Sequence, residues 1–251
     1  MLLKEIDVSG DLKSLITFSD PNSPVSEAYR ALRTNLAFAG LDRQLRTVMF
    51  SSPGPEEGKS TVLANLAVSI AQTERRVLVV DADLRRPSLH EIFGLPNDRG
   101  LTTLLGAPDA LANPPFQATP VAGLSVLTSG PLPPRPADLI SSRRMEEMVA
   151  WLAEQADLVL FDAPPINVVA DGLVLATRTD GVLLVVRERR TQREAVRQAM
   201  ASLSRVNARV LGAVLSGVSL DRTLAQYYTR HAPARAARRS GTEAGAGASS
   251  R

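Results

Sequence analysis

The chain has 251 residues, no cysteine, 44% apolar and 22% charged residues, and a formal net charge of +3. That composition excludes a disulfide framework or a thiolate metal site and suits one large α/β domain with extensions, or at most two small domains around real cores. The charge sits at the end: residues 222–251 hold six arginines and one glutamate, so the preceding body is slightly acidic and nothing in it calls for nucleic acid.

The N-terminus, "MLLKEIDVSGDL", lacks the basic start and apolar core of a signal peptide. Apolar runs such as "VLVV" and "VLLVV" fall far short of the ~20 residues that span a bilayer. "SPVSEAYRALRTNLAFAG" predicts a helix with Ser23 as N-cap and Pro24 in its first position. Ala28, Leu32 and Leu36 share one face of it, while Glu27, Arg30 and Arg33 follow each other at i, i+3 and i+6 on the other.

"RTVMFSS" predicts a strand that runs into the loop "SSPGPEEGKST". The loop ends as a phosphate-binding loop ends, with Gly58, Lys59 and Ser60, but Pro53 stands where the pattern G-x-x-x-x-G-K-[ST] has its first glycine. Its context is the required one, since Val62, Leu63, Leu66, Ala67, Ile70 and Ala71 then recur at helical spacing. In such a loop, backbone N–H groups and a helix N-terminus meet the phosphates. Lys59 would bridge the β- and γ-phosphates and Ser60 would ligate Mg²⁺.

"RVLVVDAD" predicts a strand buried on both faces, with Asp81 and Asp83 at its C-terminal end, where ligands sit in open parallel sheets. "DLVLFDAPP" places Asp162 at the end of another, in the position of a Mg²⁺-binding carboxylate. One aspartate ending a strand is commonly a cap; three beside a phosphate loop call for a cation. Between these strands, residues 96–123 are rich in Pro, Gly and Asn and predict a surface excursion. "LSVLTSG", "DGVLLVVRE" and "ARVLGAVLSGV" supply further strands. "TQREAVRQAMASLSRV" predicts a helix with a Thr191–Glu194 capping box and a buried stripe of Val196, Met200 and Leu203. The alternation predicts an α/β fold of the P-loop NTPase type, a mostly parallel sheet with helices on both faces. The last segment, rich in Ala, Gly, Ser and Arg, predicts a disordered tail.

"SSPGPEEGKST", "VLVVDADLRRP" and "VLFDAPP", in that order and spacing, resemble the three nucleotide motifs of the bacterial tyrosine kinases of the capsule and exopolysaccharide type. "EAYRALR" matches that family's ring-forming E-x-x-R-x-x-R motif through Glu27, Arg30 and Arg33, and "PPRPADLISS" resembles its Pro-Pro-Asn-Pro stretch. The resemblance runs from about Ser23 to Asp221. It implies ATP- and Mg²⁺-dependent tyrosine autophosphorylation between subunits of a homo-oligomeric ring. It also implies a membrane adaptor on a separate chain, a place at the cytoplasmic face of the membrane, and control of polysaccharide polymerisation and export.

On that reading residues 1–45 are an N-terminal arm and oligomerisation helix, 46–221 the P-loop kinase domain, and 222–251 a basic tail carrying the acceptors Tyr227 and Tyr228. Tyr29, inside the helix, is expected to be packed rather than phosphorylated. Gly54, Glu57, Gly58, Lys59, Ser60 and Thr61 form the expected nucleotide-contacting set; Ser60, Asp83 and Asp162 are the expected Mg²⁺ partners. Lys59, Asp81, Asp83 and Asp162 are the expected catalytic group, with Asp81 facing the acceptor. The chain departs from the family in three respects: Glu56 replaces a loop glycine, Ser216 stands where relatives often carry Asn near the adenine, and the tyrosine cluster is reduced to two. The competing reading is a nucleotide-switched ATPase, either a degenerate kinase or a positioning and partitioning type. The latter's signature lysine, five residues before the catalytic one, is Gly54 here.

Overall fold

A computed structural model describes residues 12–107 and 111–218. Its strands are β1 (Thr47–Ser51), β2 (Val77–Asp81), β3 (Gln117–Ala118), β4 (Leu124–Leu127), β5 (Leu158–Asp162), β6 (Gly181–Arg187) and β7 (Val210–Ser216). They form one seven-stranded sheet in the order β3-β4-β2-β5-β1-β6-β7, parallel except for β3. The helices are α1 (Ile16–Ser19), α2 (Pro24–Ala39), α3 (Lys59–Ala71), α4 (Leu89–Phe93), α5 (Leu101–Gly106), α6 (Pro136–Ser141), α7 (Arg143–Leu152), α8 (Asp171–Ala176) and α9 (Arg193–Arg205). No helix among the described residues is long and apolar enough to cross a membrane.

The central strands are buried along their whole length, as strands covered on both faces must be. Alternation sorts their side chains into two cores. Val48, Phe50, Val79 and Leu160 pack on one side with α3 and α4. Met49, Leu78, Val80, Val159 and Phe161 pack on the other with α5 to α9. From Val62 to Ala71, α3 is buried throughout, because α1 and α2 cover the side that faces away from the sheet. Thr17 of α1 donates its amide and its hydroxyl to Asn65 Oδ1 of α3, at 3.1 and 3.0 Å. Leu12, Leu15, Leu36 and Leu45 share the core of Val48 and Leu63, so residues 12–45 are built into the P-loop domain.

Ser23 caps α2 as its sequence predicts, accepting from the Ser26 amide at 3.1 Å, with Pro24 in the first turn. The buried side of α2 is the predicted one at Leu32 and Leu36 but not at Ala28, which is exposed; Ser26 and the half-buried Tyr29 face inward with them. The capping box of α9 is also absent. Its N-cap is Gln192, and Thr191 Oγ1 accepts from the Arg187 amide at 2.9 Å, closing the turn after β6. Met200 is exposed; Ala199 and Leu203 are the buried positions.

Residues 96–123 are more than a surface excursion. They contribute α5, whose Leu101, Leu104 and Leu105 are buried, and β3, which pairs antiparallel at the sheet edge. The close approach of this segment depends on Gly100. A Cβ there would lie 2.1 Å from the Thr128 carbonyl oxygen and 2.3 Å from the Gly130 nitrogen, both backbone atoms of the segment after β4. Gly100→Ala is therefore expected to destabilise the protein by about 1–3 kcal/mol, the cost of overpacking a site whose neighbours cannot swing aside. Urea unfolding checks it.

Candidate phosphoryl-transfer site

The site forms where β1, β2 and β5 end side by side. Asp81 and Asp162 are register partners across β2 and β5, and β1 beside β5 leads into the loop. This is the C-terminal edge of the parallel sheet, where ligands bind. Gly58 turns the loop into α3 with a left-handed φ of 85°, so α3 starts at Lys59 with its N-terminus facing the cleft residues. The loop is tied internally: Ser52 Oγ donates to the Gly54 carbonyl at 2.6 Å, and the Gly54 amide donates to Glu57 Oε1 at 3.2 Å.

Lys59 is the centre. Its Nζ lies 3.0 Å from Asp83 Oδ2, 3.0 Å from Asp162 Oδ1 and 3.3 Å from Ser60 Oγ. Ser60 Oγ in turn donates to Asp162 Oδ2. Burial opposes the Lys59 charge, but Asp162 and Asp83 outweigh it and hold the ammonium above its ordinary pKa. Burial pushes the Asp162 carboxyl up, and Lys59 and Ser60 pull it back only in part. Burial, then the charge of Asp162, push Asp81 up as well. Two buried carboxylates, Asp83 and Asp162, thus meet one ammonium, with Asp81 beside Asp162, a setting that suits a divalent cation. Among the described residues no set of three or more His, Asp or Glu side chains is arranged as a metal cage. Mg²⁺ needs none, since it takes one or two protein ligands with waters and substrate phosphates. Ser60 and Asp162 fit that pattern.

The two aspartates at the end of β2, Asp81 in the strand and Asp83 just after it, have different surroundings. Asp83 lines the cleft of about 280 Å³ in front of the loop and touches Lys59. Asp81 is not among the residues lining that cleft. It is fully buried, and its Oδ2 accepts from the Ser88 and Leu89 amides at 3.0 and 2.9 Å at the start of α4. It organises the loop that carries Asp83. Arg85 turns away to form a forked pair with buried Asp171, at 2.8 and 3.2 Å, joining this loop to α8. Asp171 was not legible beforehand, because an aspartate in a first helical turn needs no further explanation.

A second groove, about 710 Å³, opens beside the loop between α2 and β7. Glu57, Gly58 and Thr61 belong to its wall together with Ser216, whose Oγ donates to the Glu57 carbonyl at 2.6 Å. Glu56, which replaces a glycine, has a left-handed backbone, at φ 57°. The predicted ring residues are split. Glu27 and Arg30 pair with each other, while Arg33 is turned inward and donates to the Ser69 carbonyl of α3 at 2.6 Å, not outward as expected. Tyr29 is half-buried, and burial pushes its phenol up to about 12, which fits a packed residue. Tyr227 and Tyr228 lie outside the described residues.

The CobQ/CobB/MinD/ParA nucleotide binding domain family matches residues 48–233. The tyrosine-protein kinase YwqD of Bacillus subtilis is 42% identical over 210 residues, spanning 84% of this chain and 88% of YwqD. The solved kinase domain of the Escherichia coli tyrosine kinase ETK superposes with a TM-score of 0.78 at 34% identity, covering 83% of this chain and 82% of that one. A chimerical protein, CapA2B2, gives 0.75 at 37% identity over 81% and 89%. The chain belongs to the bacterial tyrosine kinases. Its nucleotide-binding fold and kinase class follow from that membership, and the three motifs of this kinase meet at one sheet edge.

Lys59→Met is expected to abolish binding of ATP-Mg in calorimetry. It also leaves buried carboxylates without their cation, a loss of about 3 kcal/mol in urea unfolding, with the native circular dichroism retained. Unchanged affinity would remove Lys59 from the site.

Proposed function

We propose that this kinase binds ATP with Mg²⁺ and transfers the γ-phosphoryl group to tyrosines of its own tail, Tyr227 and Tyr228, on a neighbouring subunit. The observation that carries the reading is Lys59 held between Asp83 and Asp162, with Ser60 on Asp162, at the mouth of the loop. Lys59 and the loop amides receive the β- and γ-phosphates, and the groove beside Ser216 receives the nucleoside. Ser60 and Asp162 would hold Mg²⁺, with Asp83 nearby; the ion supplies neutralisation of the phosphate charge. A phenol is a weak nucleophile at neutral pH. Asp83, the carboxylate that lines the cleft, takes or orients its proton as the tyrosine oxygen bonds to phosphorus and the bond to the β-phosphate oxygen breaks. Asp81 positions that carboxylate.

The biological setting proposed is control of capsular or exopolysaccharide synthesis and export. The kinase would sit at the cytoplasmic face of the membrane through an adaptor on a separate chain. Mass spectrometry after incubation with ATP-Mg and adaptor is expected to find phosphotyrosine at Tyr227 or Tyr228 in the wild type. It should be lost in Asp83→Asn and in the variant with both tyrosines changed to Phe. ATP hydrolysis without phosphotyrosine in any sample would instead support the nucleotide-switched ATPase.

Assembly is proposed to use Glu27 and Arg30 across subunits of a ring. Glu27→Ala with Arg30→Ala is expected to convert a large species to monomer in light scattering at unchanged Tm. Arg33→Ala should lower Tm, because it removes the contact with Ser69. A wild type that is monomeric with ATP and adaptor fragment would overturn the ring.

A further inference from the structure

We propose that Arg187 and Arg190 are positioning residues that strap the phosphate loop into its binding conformation, a role created by Glu56. The inference rests on the nucleotide reading above. Glu56 occupies the left-handed region, at φ 57°, inside the loop. For a residue with a side chain that conformation costs roughly a five- to thirty-fold loss of population relative to the ordinary regions. Glycine would not incur it.

The contacts that offset this cost come from outside the loop. The Glu56 carbonyl accepts from Arg187 Nη1 at 3.0 Å, and the Glu56 carboxylate pairs with Arg190 Nη2 at 2.7 Å. The next carbonyl, of Glu57, accepts from Ser216 Oγ at 2.6 Å. Two consecutive carbonyls are thereby pinned towards the ends of β6 and β7. In a trans peptide the N–H of the following residue points opposite to the carbonyl. Pinning these two oxygens therefore aims the amides of Glu57 and Gly58 to the other side, as an anion-binding nest requires.

The strap is itself anchored. The Arg187 amide donates to Thr191 Oγ1 at 2.9 Å, and the Thr191 amide donates back to the Arg187 carbonyl at 3.0 Å. The Glu188 amide donates to the Ser216 carbonyl at 2.9 Å, tying the turn to the end of β7. Arg187 also lies along Gly217, with its Cγ 3.5 Å from where a Cβ would be. The turn that failed to cap α9 thus has another employment, holding the two arginines against the loop.

Without the strap the competent loop becomes a minor conformer, and the apparent Kd rises by the inverse of its population. The experiment is calorimetric titration of the full chain with ATP-Mg, alongside steady-state kinetics and thermal melting. Arg187→Ala with Arg190→Ala is expected to raise Kd and KM by roughly five- to thirty-fold while kcat at saturation holds. Adding Glu56→Gly, which frees the backbone, restores affinity. Adding Glu56→Gln, which removes the same charge but keeps the side chain, does not. Arg193→Ala, on the neighbouring surface with no loop contact, binds as wild type. Two results would overturn the strap: the double alanine variant binding within about twofold of wild type, or Gln rescuing as well as Gly, which would make the effect one of charge. A wild type that does not bind ATP-Mg would overturn the nucleotide reading itself.

Discussion

The site depends on one ammonium group among buried carboxylates. Lys59 reaches Asp83 and Asp162 at 3.0 Å each, and Asp81 lies directly across the sheet from Asp162. Burying three carboxylates is tolerable only with cationic and hydrogen-bonding partners. Backbone amides at the start of α4 serve Asp81, while Lys59 and Ser60 serve Asp162. What remains is an excess of negative charge on the side that faces the loop. On the proposed function a nucleotide with its metal would meet this need, bringing a cation to the carboxylates and phosphate oxygens to the loop amides. The strands exist to converge these groups. Each acidic motif is the terminus of a fully buried strand, so its aspartate is fixed by the ladder behind it.

The loop shows how a departure from a family pattern is accommodated. Glu56 adopts the backbone that a glycine would adopt, and the surroundings over-determine it through Arg187, Arg190 and Ser216. Its carboxylate is held below the usual range, first by the hydrogen bond and then by the charge of Arg190. Glu57 differs. Burial pushes its carboxyl up, against hydrogen bonds from Thr191 and the Gly54 amide, so it acts as a brace within the loop. Adjacent glutamates thus have opposite employment, one turned out to the strap and one folded in under the first turn. The same segment therefore couples the phosphate site to the end of β7 and to the groove beside α2.

The N-terminal helix is likewise more integrated than its motif suggested. Its serine cap and its proline are local features, and they fold as local features should. Which side of α2 turns inward is settled by α3, a helix buried on all sides that offers the Ser69 carbonyl to Arg33. An arginine stem can cover apolar surface while its head finds a carbonyl. Spacing alone could not separate Arg33 from Glu27 and Arg30, since all three lie at i, i+3 and i+6 and look alike on a helical wheel.

The main parallel strands, the loop before α3, the aspartates at strand ends and the family resemblance were all legible in the sequence. They rest on hydrophobic runs, on periodicity and on short-range spacing, which are one-dimensional properties. The predictions that failed concern which of several similar residues faces what. Asp81 and Asp83 are two residues apart, yet one is turned under α4 and the other into the cleft. Thr191 was read as a cap and instead closes the turn behind the phosphate loop. Asp171, Arg187 and Arg190 reach the site region from segments far along the chain, and none belongs to a contiguous motif. The sequence by itself determined the layers and the chemistry at the sheet's edge, because strand burial and loop geometry are encoded locally. Only the tertiary structure decided which carboxylate faces the cleft and what holds the loop, because those depend on backbone amides and side chains brought together across the sheet.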